Sequence, residues 1–228
     1  AIDGNPTADL TASESSSRMK GKPGTTVVFK VKKVRTGDTL DVAIVRERIH
    51  IPDIEYAGMI DDTTGYILQG GFTEKVSSDM RKKILELKEK GMKRLVLDLR
   101  GNGGGLMSEA VSIVSFFVPK GTLVVTSKGN TPESTREYRT STDPIDTQIP
   151  LIVMIDSGSA SSSEIVAGAL QDLERATIMG TRSYGKGLVQ SVRPLPYNGQ
   201  MKVTTAKYYT PSGRCVQAID YANRNEDG

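Results

Sequence analysis

Leu95-Val96-Leu97-Asp98-Leu99-Arg100-Gly101-Asn102-Gly103-Gly104-Gly105 is an apolar run that feeds straight into a glycine-rich turn. The run is short and built from branched side chains, which reads as a buried strand. The glycines after it free the backbone to take positive φ and to present bare N–H groups. Ser108 to Phe117 then repeats apolar residues at helical spacing, with Val111, Val114 and Phe117 inward and Pro119 closing the helix. N–H groups at such a strand-to-helix junction suit a phosphate or a transient oxyanion, although a tight turn alone would look the same. The dinucleotide fingerprint G-x-G-x-x-G is not met, because Leu106 and Met107 follow the glycines.

The pattern extends in both directions. Upstream, Gly65 to Leu68 reads as a strand. Glu74 to Lys90 reads as an amphipathic helix with Val76, Met80, Ile84 and Leu87 on one face and Gly91 at its end. Downstream, strands are expected at Leu123–Thr126, Leu151–Ile155 and Ala176–Met179, and a helix at Glu164–Leu173. The polar stretch from Ser127 to Gln148 is too long to be structureless and is expected to hold a hairpin. Alternating strands and helices predict an α/β core with helices packed on a sheet. The first 50 residues differ: small and polar to residue 18, then strand-like runs at Val27–Val34 and Leu40–Ile51 joined by turns. They read as part of a β-rich module too small to fold alone.

Composition narrows the function classes. The chain has 228 residues, with 30 basic against 27 acidic side chains and a formal net charge of +3. That balance, without a dense Lys/Arg run, points away from nucleic acid and from a charged membrane surface. No stretch approaches the ~18 apolar residues needed to cross a bilayer. The N-terminus lacks a signal-peptide pattern and starts without Met, as expected of a processed fragment. The lone Cys215 follows a turn-like run and reads as a small packed hydrophobe.

Two further constellations bear on chemistry. Asp156-Ser157-Gly158-Ser159-Ala160-Ser161-Ser162-Ser163-Glu164 again joins a strand to a helix. Any of its serines could be a nucleophile held over a sheet, or simply a helix cap, since Ser161-x-x-Glu164 is a capping box. Gly180-Thr181-Arg182-Ser183-Tyr184-Gly185-Lys186-Gly187 nearly matches a phosphate-binding loop. However, Gly187 replaces the hydroxyl that would hold magnesium, and the β-branched residues after it form no helix. His50 is the only histidine, in an alternating strand pattern, and no His or Cys pair has metal-ligand spacing. A nucleophilic serine would therefore need another base. Lysine can serve when burial disfavours its charged form.

At this point the sequence resembles the carboxyl-terminal processing (tail-specific) serine proteases of the S41 peptidase family. Leu97 to Leu106 is similar to the family's D-L-R-x-N-P-G-G-L, with Gly103 in place of the proline. Gly158 to Ile165 is similar to its G-S-A-S-A-S-E-I block, and Tyr184-Gly185-Lys186-Gly187 with Gln190 continues the pattern. Thr204 to Arg214 resembles its later strand and turn. The resemblance implies a crotonase/ClpP-like α/β catalytic core, with Ser161 as nucleophile, Lys186 as base and Gln190 orienting the lysine. It further implies an oxyanion hole from the N–H groups of Ser162 and Gly104, with Gly105 as the alternative to Gly104, and a supporting role for Asp172. No cofactor or metal is implied.

The implied domain plan has residues 1–35 as the C-terminal half of a PDZ domain, 36–52 as connecting strands and 53–228 as the catalytic core. Implied partners are protein or peptide substrates with apolar C-termini, and a homo-oligomer or adaptor; no nucleic acid is expected, and membrane contact only through segments outside this chain. The implied location is extracytoplasmic, in a bacterial periplasm or envelope. The competing readings are a catalytically silent scaffold of the same fold and an acyl-CoA enzyme of the related fold, which would not explain the Ser–Lys spacing.

Overall fold

A computed structural model of the chain describes residues 1–48 and 52–218, which fall into two compact units, Ala1–Ile51 and Pro52–Gly228. His50 lies outside the described residues.

The first unit contains helix α1 (Ala12–Met19) and an antiparallel hairpin of β1 (Thr26–Lys32) and β2 (Thr39–Val45). Helix α1 has no apolar stripe and buries no side chain, so periodicity does not announce it. Its ends explain it. The Thr11 hydroxyl accepts the Glu14 N–H at 3.2 Å, and the Glu14 carboxylate accepts the Thr11 N–H at 2.8 Å, a reciprocal cap. In the hairpin, Val27, Phe29 and Val31 stand opposite Ile44, Val42 and Leu40, placing the apolar residues on one face.

The second unit holds two sheets. The larger combines β3 (Ile54–Met59), β4 (Thr64–Gln69), β5 (Arg94–Asp98), β8 (Leu151–Ile155) and β9 (Thr177–Gly180), in the order β3-β4-β5-β8-β9. Only β3 runs antiparallel; the other four are parallel, with helices α2 (Val76–Glu89), α3 (Met107–Val114) and α4 (Ser162–Asp172) in the crossovers. The second sheet is antiparallel, β10-β11-β6-β7, from β6 (Leu123–Lys128), β7 (Arg136–Arg139), β10 (Leu188–Pro194) and β11 (Gln200–Tyr209). The hairpin expected in the 127–148 stretch is β6–β7. The rest of that stretch is pinned by Arg175, whose guanidinium donates to the carbonyls of Phe117 and Ile149, both at 2.8 Å.

The core forms where periodicity places it. Val76, Met80, Ile84 and Leu87 of α2 are buried with Leu95 and Leu97 of β5, Val153 of β8, and Ile165, Val166 and Leu170 of α4. One consequence of the topology positions everything below. Asp98 is paired with Met154, and Ile155 with Gly180, so β5, β8 and β9 end side by side. The glycine turn, the serine loop and the lysine loop therefore emerge together at the carboxyl end of a parallel sheet, where α/β folds place ligands.

Candidate active site

The serine loop and the glycine turn are bound to each other through many contacts. Asp156 Oδ1 accepts the Gly101 N–H at 2.8 Å and the Gly158 N–H at 2.9 Å, so one carboxylate joins both loops. The Gly101 N–H, above all, holds the Asp156 carboxyl below the usual carboxylate range. From the other direction, Ser159 Oγ donates to Leu99 O at 2.7 Å and Ser163 Oγ to Asn102 O at 2.8 Å. Ser162 Oγ donates to Gly105 O at 2.9 Å. Three of the loop's serine hydroxyls are thus committed to backbone carbonyls. Ser161 is different: it caps α4 with φ +56° and ψ −111°, a conformation that non-glycine residues hold only at a cost of ~1–3 kcal/mol.

Against this serine lies Gly104, with φ +93°. A Cβ there would stand 2.6 Å from Ala160 O, 2.8 Å from Ser161 Cβ and 2.8 Å from Ser162 N, so only glycine fits. The Gly104 N–H donates to Asn102 Oδ1 at 2.9 Å, and Asn102, fully buried, anchors its own amide on Gln69 O at 2.8 Å. Phe72 bridges Gly105 by donating to Gly104 O at 3.2 Å and accepting from Leu106 N–H at 2.7 Å. In such a parallel bridge the middle residue turns its own N–H and C=O away from the partner. The Gly105 carbonyl does point away, to Ser162 Oγ. Nearby, the buried Asp98 carboxylate accepts from Tyr66 Oη at 2.6 Å and from Arg100 Nη2 at 2.6 Å. Burial opposes its charge, but these partners keep its carboxyl below the usual range.

The lysine loop is held through its backbone. Glu164, only 6% exposed, accepts the Gly185 N–H on Oε1 at 2.6 Å. Its Oε2 accepts both the Lys186 N–H and the Ser161 N–H, each at 2.8 Å. The backbones of Ser161 and Lys186 therefore share one acceptor atom. The Lys186 side chain itself is exposed, and among the described residues its ammonium makes no hydrogen bond or ion pair, so the burial expected of a lysine base is not present here. Gln190 sits on β10 opposite Thr204, next to a register shift, and is also exposed. Among the described residues no hydrogen bond joins its side chain to Lys186.

Asp172 is at the far end of α4. It accepts from Ser212 Oγ at 2.6 Å and pairs with Arg214 at 2.8 Å. Burial raises the cost of its charge, yet the Ser212 hydroxyl and other donors keep its carboxyl below the ordinary range. The lysine loop is followed by strand β10, not a helix, as the phosphate-loop comparison requires for its rejection.

Three residues emerge here that the motifs did not single out. Glu164 is legible in the sequence only as a helix-cap partner, and Asn102 and Asp156 only as members of the glycine and serine runs. Each acts through main-chain groups of other loops, a role that leaves no spacing rule in sequence.

Comparison with known proteins identifies the family. Residues 63–222 match peptidase family S41. A carboxy-terminal-processing protease of Bartonella bacilliformis is 40% identical over 222 residues, 96% of this chain and 50% of its own length. A carboxyl-terminal-processing protease of Picosynechococcus is 36% identical over 214 residues, 92% of this chain and 51% of its own. Among solved structures, a photosystem II D1 C-terminal processing protease aligns with a TM-score of 0.67 and 28% identity, over 96% of this chain and 59% of that one. The chain spans about half the length of the curated relatives it matches. With a family match over most of its length and a relative this similar across nearly all of it, the chain belongs to peptidase family S41.

Proposed function

We propose that this chain carries the catalytic core of a serine endopeptidase of the carboxyl-terminal processing type, acting through Ser161 and Lys186. The observation that carries the reading is the Glu164 carboxylate, whose single Oε2 atom holds the backbones of both residues. In the mechanism, neutral Lys186 takes the Ser161 proton as Oγ attacks the peptide carbonyl. The tetrahedral intermediate collapses to an acyl-enzyme, and the protonated Lys186 gives its proton to the leaving amine. Water, deprotonated by the same lysine, releases the acyl group and regenerates Ser161. A bound polypeptide would cover the exposed Lys186 and exclude water from the dyad. Gln190 is assigned to orient the lysine once substrate is bound.

The oxyanion hole is assigned to the Ser162 N–H, at the start of α4, together with a glycine N–H of the turn. The sequence reading prefers Gly104, but hydrogen bonding favours Gly105, since the Gly104 N–H is spent on Asn102. Gly104 instead supplies the room that lets the turn approach the serine. Each such donor contributes about 3 kcal/mol to transition-state stabilisation.

From the family resemblance, the substrates are read as protein chains with apolar C-termini, processed outside the bacterial cytoplasm. Residues 1–35 are assigned to the second half of a PDZ domain, for which the β1–β2 hairpin is suitable material. Cleavage of casein by the chain, Ser161→Ala and Lys186→Ala tests the dyad. Both variants are expected to lose activity by about a thousandfold or more. Turnover that survives either substitution overturns the role given to that residue.

A further inference from the structure

Resting on the Ser161–Lys186 reading, we propose that residues 210–218 form a strap that positions Lys186, with Asp172 and Gln217 as its positioning residues. The two glycines beside the lysine show where the strap lies. A Cβ on Gly185 would collide with the Ala218 side chain, and one on Gly187 with the Gln217 backbone nitrogen. The space that side chains would need is filled by the strap.

Hydrogen bonds then fix the lysine's neighbours on the strap side. Ala218 N–H donates to Gly185 O at 3.1 Å, and Gly187 N–H donates to Gln217 Oε1 at 2.9 Å. Gly187 O accepts the Tyr208 N–H of β11 at 2.7 Å. Glu164 holds the remaining amides, those of Gly185 and Lys186. The polar backbone groups on both sides of Lys186 are therefore held by two bodies: α4 on one side, and β11 with its following strap on the other.

The strap is itself fastened to β11, by Val216 N–H to Tyr208 O at 3.1 Å, and to α4 through the turn at its start. It begins at the turn Thr210–Arg214, closed by Thr210 N–H to Arg214 O at 2.9 Å and Gly213 N–H to Thr210 O at 2.8 Å. Asp172 grips that turn, accepting the Ser212 N–H at 3.1 Å and its hydroxyl at 2.6 Å, and pairing with Arg214 at 2.8 Å. Arg214 also reaches Gln171 at 2.9 Å. A cavity of about 380 Å³ lies alongside, lined among others by Glu164, Gly168, Gly185, Arg214 and Ala218. The strap thus lies close against Gly185 and Gly187, is hydrogen-bonded at several points, and borders the cavity on one side. Helix α4 carries Ser161 at its first turn and Asp172 at its last, so one 11-residue helix, about 16 Å long, sets both the nucleophile and the anchor of the base's support. Asp172 acts at a distance, through the strap, and touches no reacting atom.

The test compares the chain with Asp172→Asn, Gln217→Ala and Gln217→Glu in two measurements. In the first, Ser161 is titrated with a fluorophosphonate probe across pH, with Lys186→Ala as reference. Asp172→Asn and Gln217→Ala are expected to lower the limiting rate by about a hundredfold, with half-saturating probe concentration unchanged. Gln217→Glu, which keeps an acceptor for the Gly187 N–H, should restore most of that rate. In the second, hydrogen exchange is followed at residues 185–187, with α2 as an internal control. Exchange should quicken in Gln217→Ala at 185–187 and stay unchanged in α2. Parent-like rates and parent-like exchange in Gln217→Ala overturn the proposal, whatever the fate of Asp172→Asn. If the parent and Lys186→Ala react alike, the dyad reading fails, and exchange at 185–187 alone decides the strap.

Discussion

The two halves of the site are built by different means. The serine half is steric: Gly104 lies so close to Ala160, Ser161 and Ser162 that no Cβ could stand between them, and the surrounding Ser159, Ser162, Ser163 and Asn102 are all buried. The lysine half also admits no Cβ at Gly185 or Gly187, where residues 217 and 218 lie against the loop, but its side chain is exposed, its backbone is held by hydrogen bonds, and a cavity lies beside it. Close packing admits one arrangement and resists strain. A backbone held at a few polar points can shift when one of them is removed. The difference suits the chemistry, because the oxyanion and the nucleophile must keep one geometry while the base has to receive and return a proton as substrate arrives and leaves.

The sharpest way to break the serine half is Gly104→Ala. The added methyl meets backbone atoms on the facing loop, and φ +93° is unfavourable for alanine. Destabilisation of about 4 kcal/mol is expected in urea unfolding, with loss of casein cleavage. A variant melting like the parent would show that the turn is softer than its contacts imply. The link between the halves is tested next, by Glu164→Ala against Glu164→Gln. Alanine strands the N–H groups of Ser161, Gly185 and Lys186, for about 3 kcal/mol. Glutamine keeps an acceptor and should cost about 1 kcal/mol. Near-equal melting curves would mean that water replaces the carboxylate.

Much of the serine half could be read in the sequence, because packing and backbone constraints leave strong marks: an apolar run, a cluster of glycines, a cap box at Ser161–Glu164. Alternation of strand and helix announced an α/β core with helices on a sheet, but not that β5, β8 and β9 lie side by side. What escaped has a common physical character. Helix α1 is stabilised by a cap and not by an apolar stripe. Asp156 and Gln217 accept N–H groups from segments far along the chain, at Gly101 and Gly187, Asn102 donates to the distant Gln69 carbonyl, and such pairings have no period. The expected burial of Lys186 also followed from chemistry and not from any residue pattern, and the structure leaves that side chain exposed.

Acid is expected to loosen the contact between the two loops. Asp156, Asp98 and Asp172 all have carboxyls held below their ordinary range in the folded chain. The stability they supply is full above the unfolded value of about 3.9 and is lost as pH falls through their lower folded values. Casein cleavage and exchange at residues 99–104 and 156–161, followed down a pH series, should therefore change together below about pH 4. Asp156→Asn should already show faster exchange at Gly101 at neutral pH and a weaker acid response there. An acid response unchanged in that variant would assign the effect to Asp98 or Asp172 instead.

The smallest expected effect lies one residue from the largest. Gly103 has no atom within 4 Å of an added Cβ, and its φ is not in the left-handed range, so the site is open where Gly104 is closed. Gly103→Ala should therefore stabilise the chain by about 0.4–1 kcal/mol, by narrowing the unfolded ensemble, and leave casein cleavage near the parent rate. Destabilisation instead would mean that the turn between Asn102 and Gly104 uses backbone freedom at position 103 that the static contacts do not display. The contrast with Gly104→Ala then becomes a measure of how far steric closure, and not glycine content, defines the serine half.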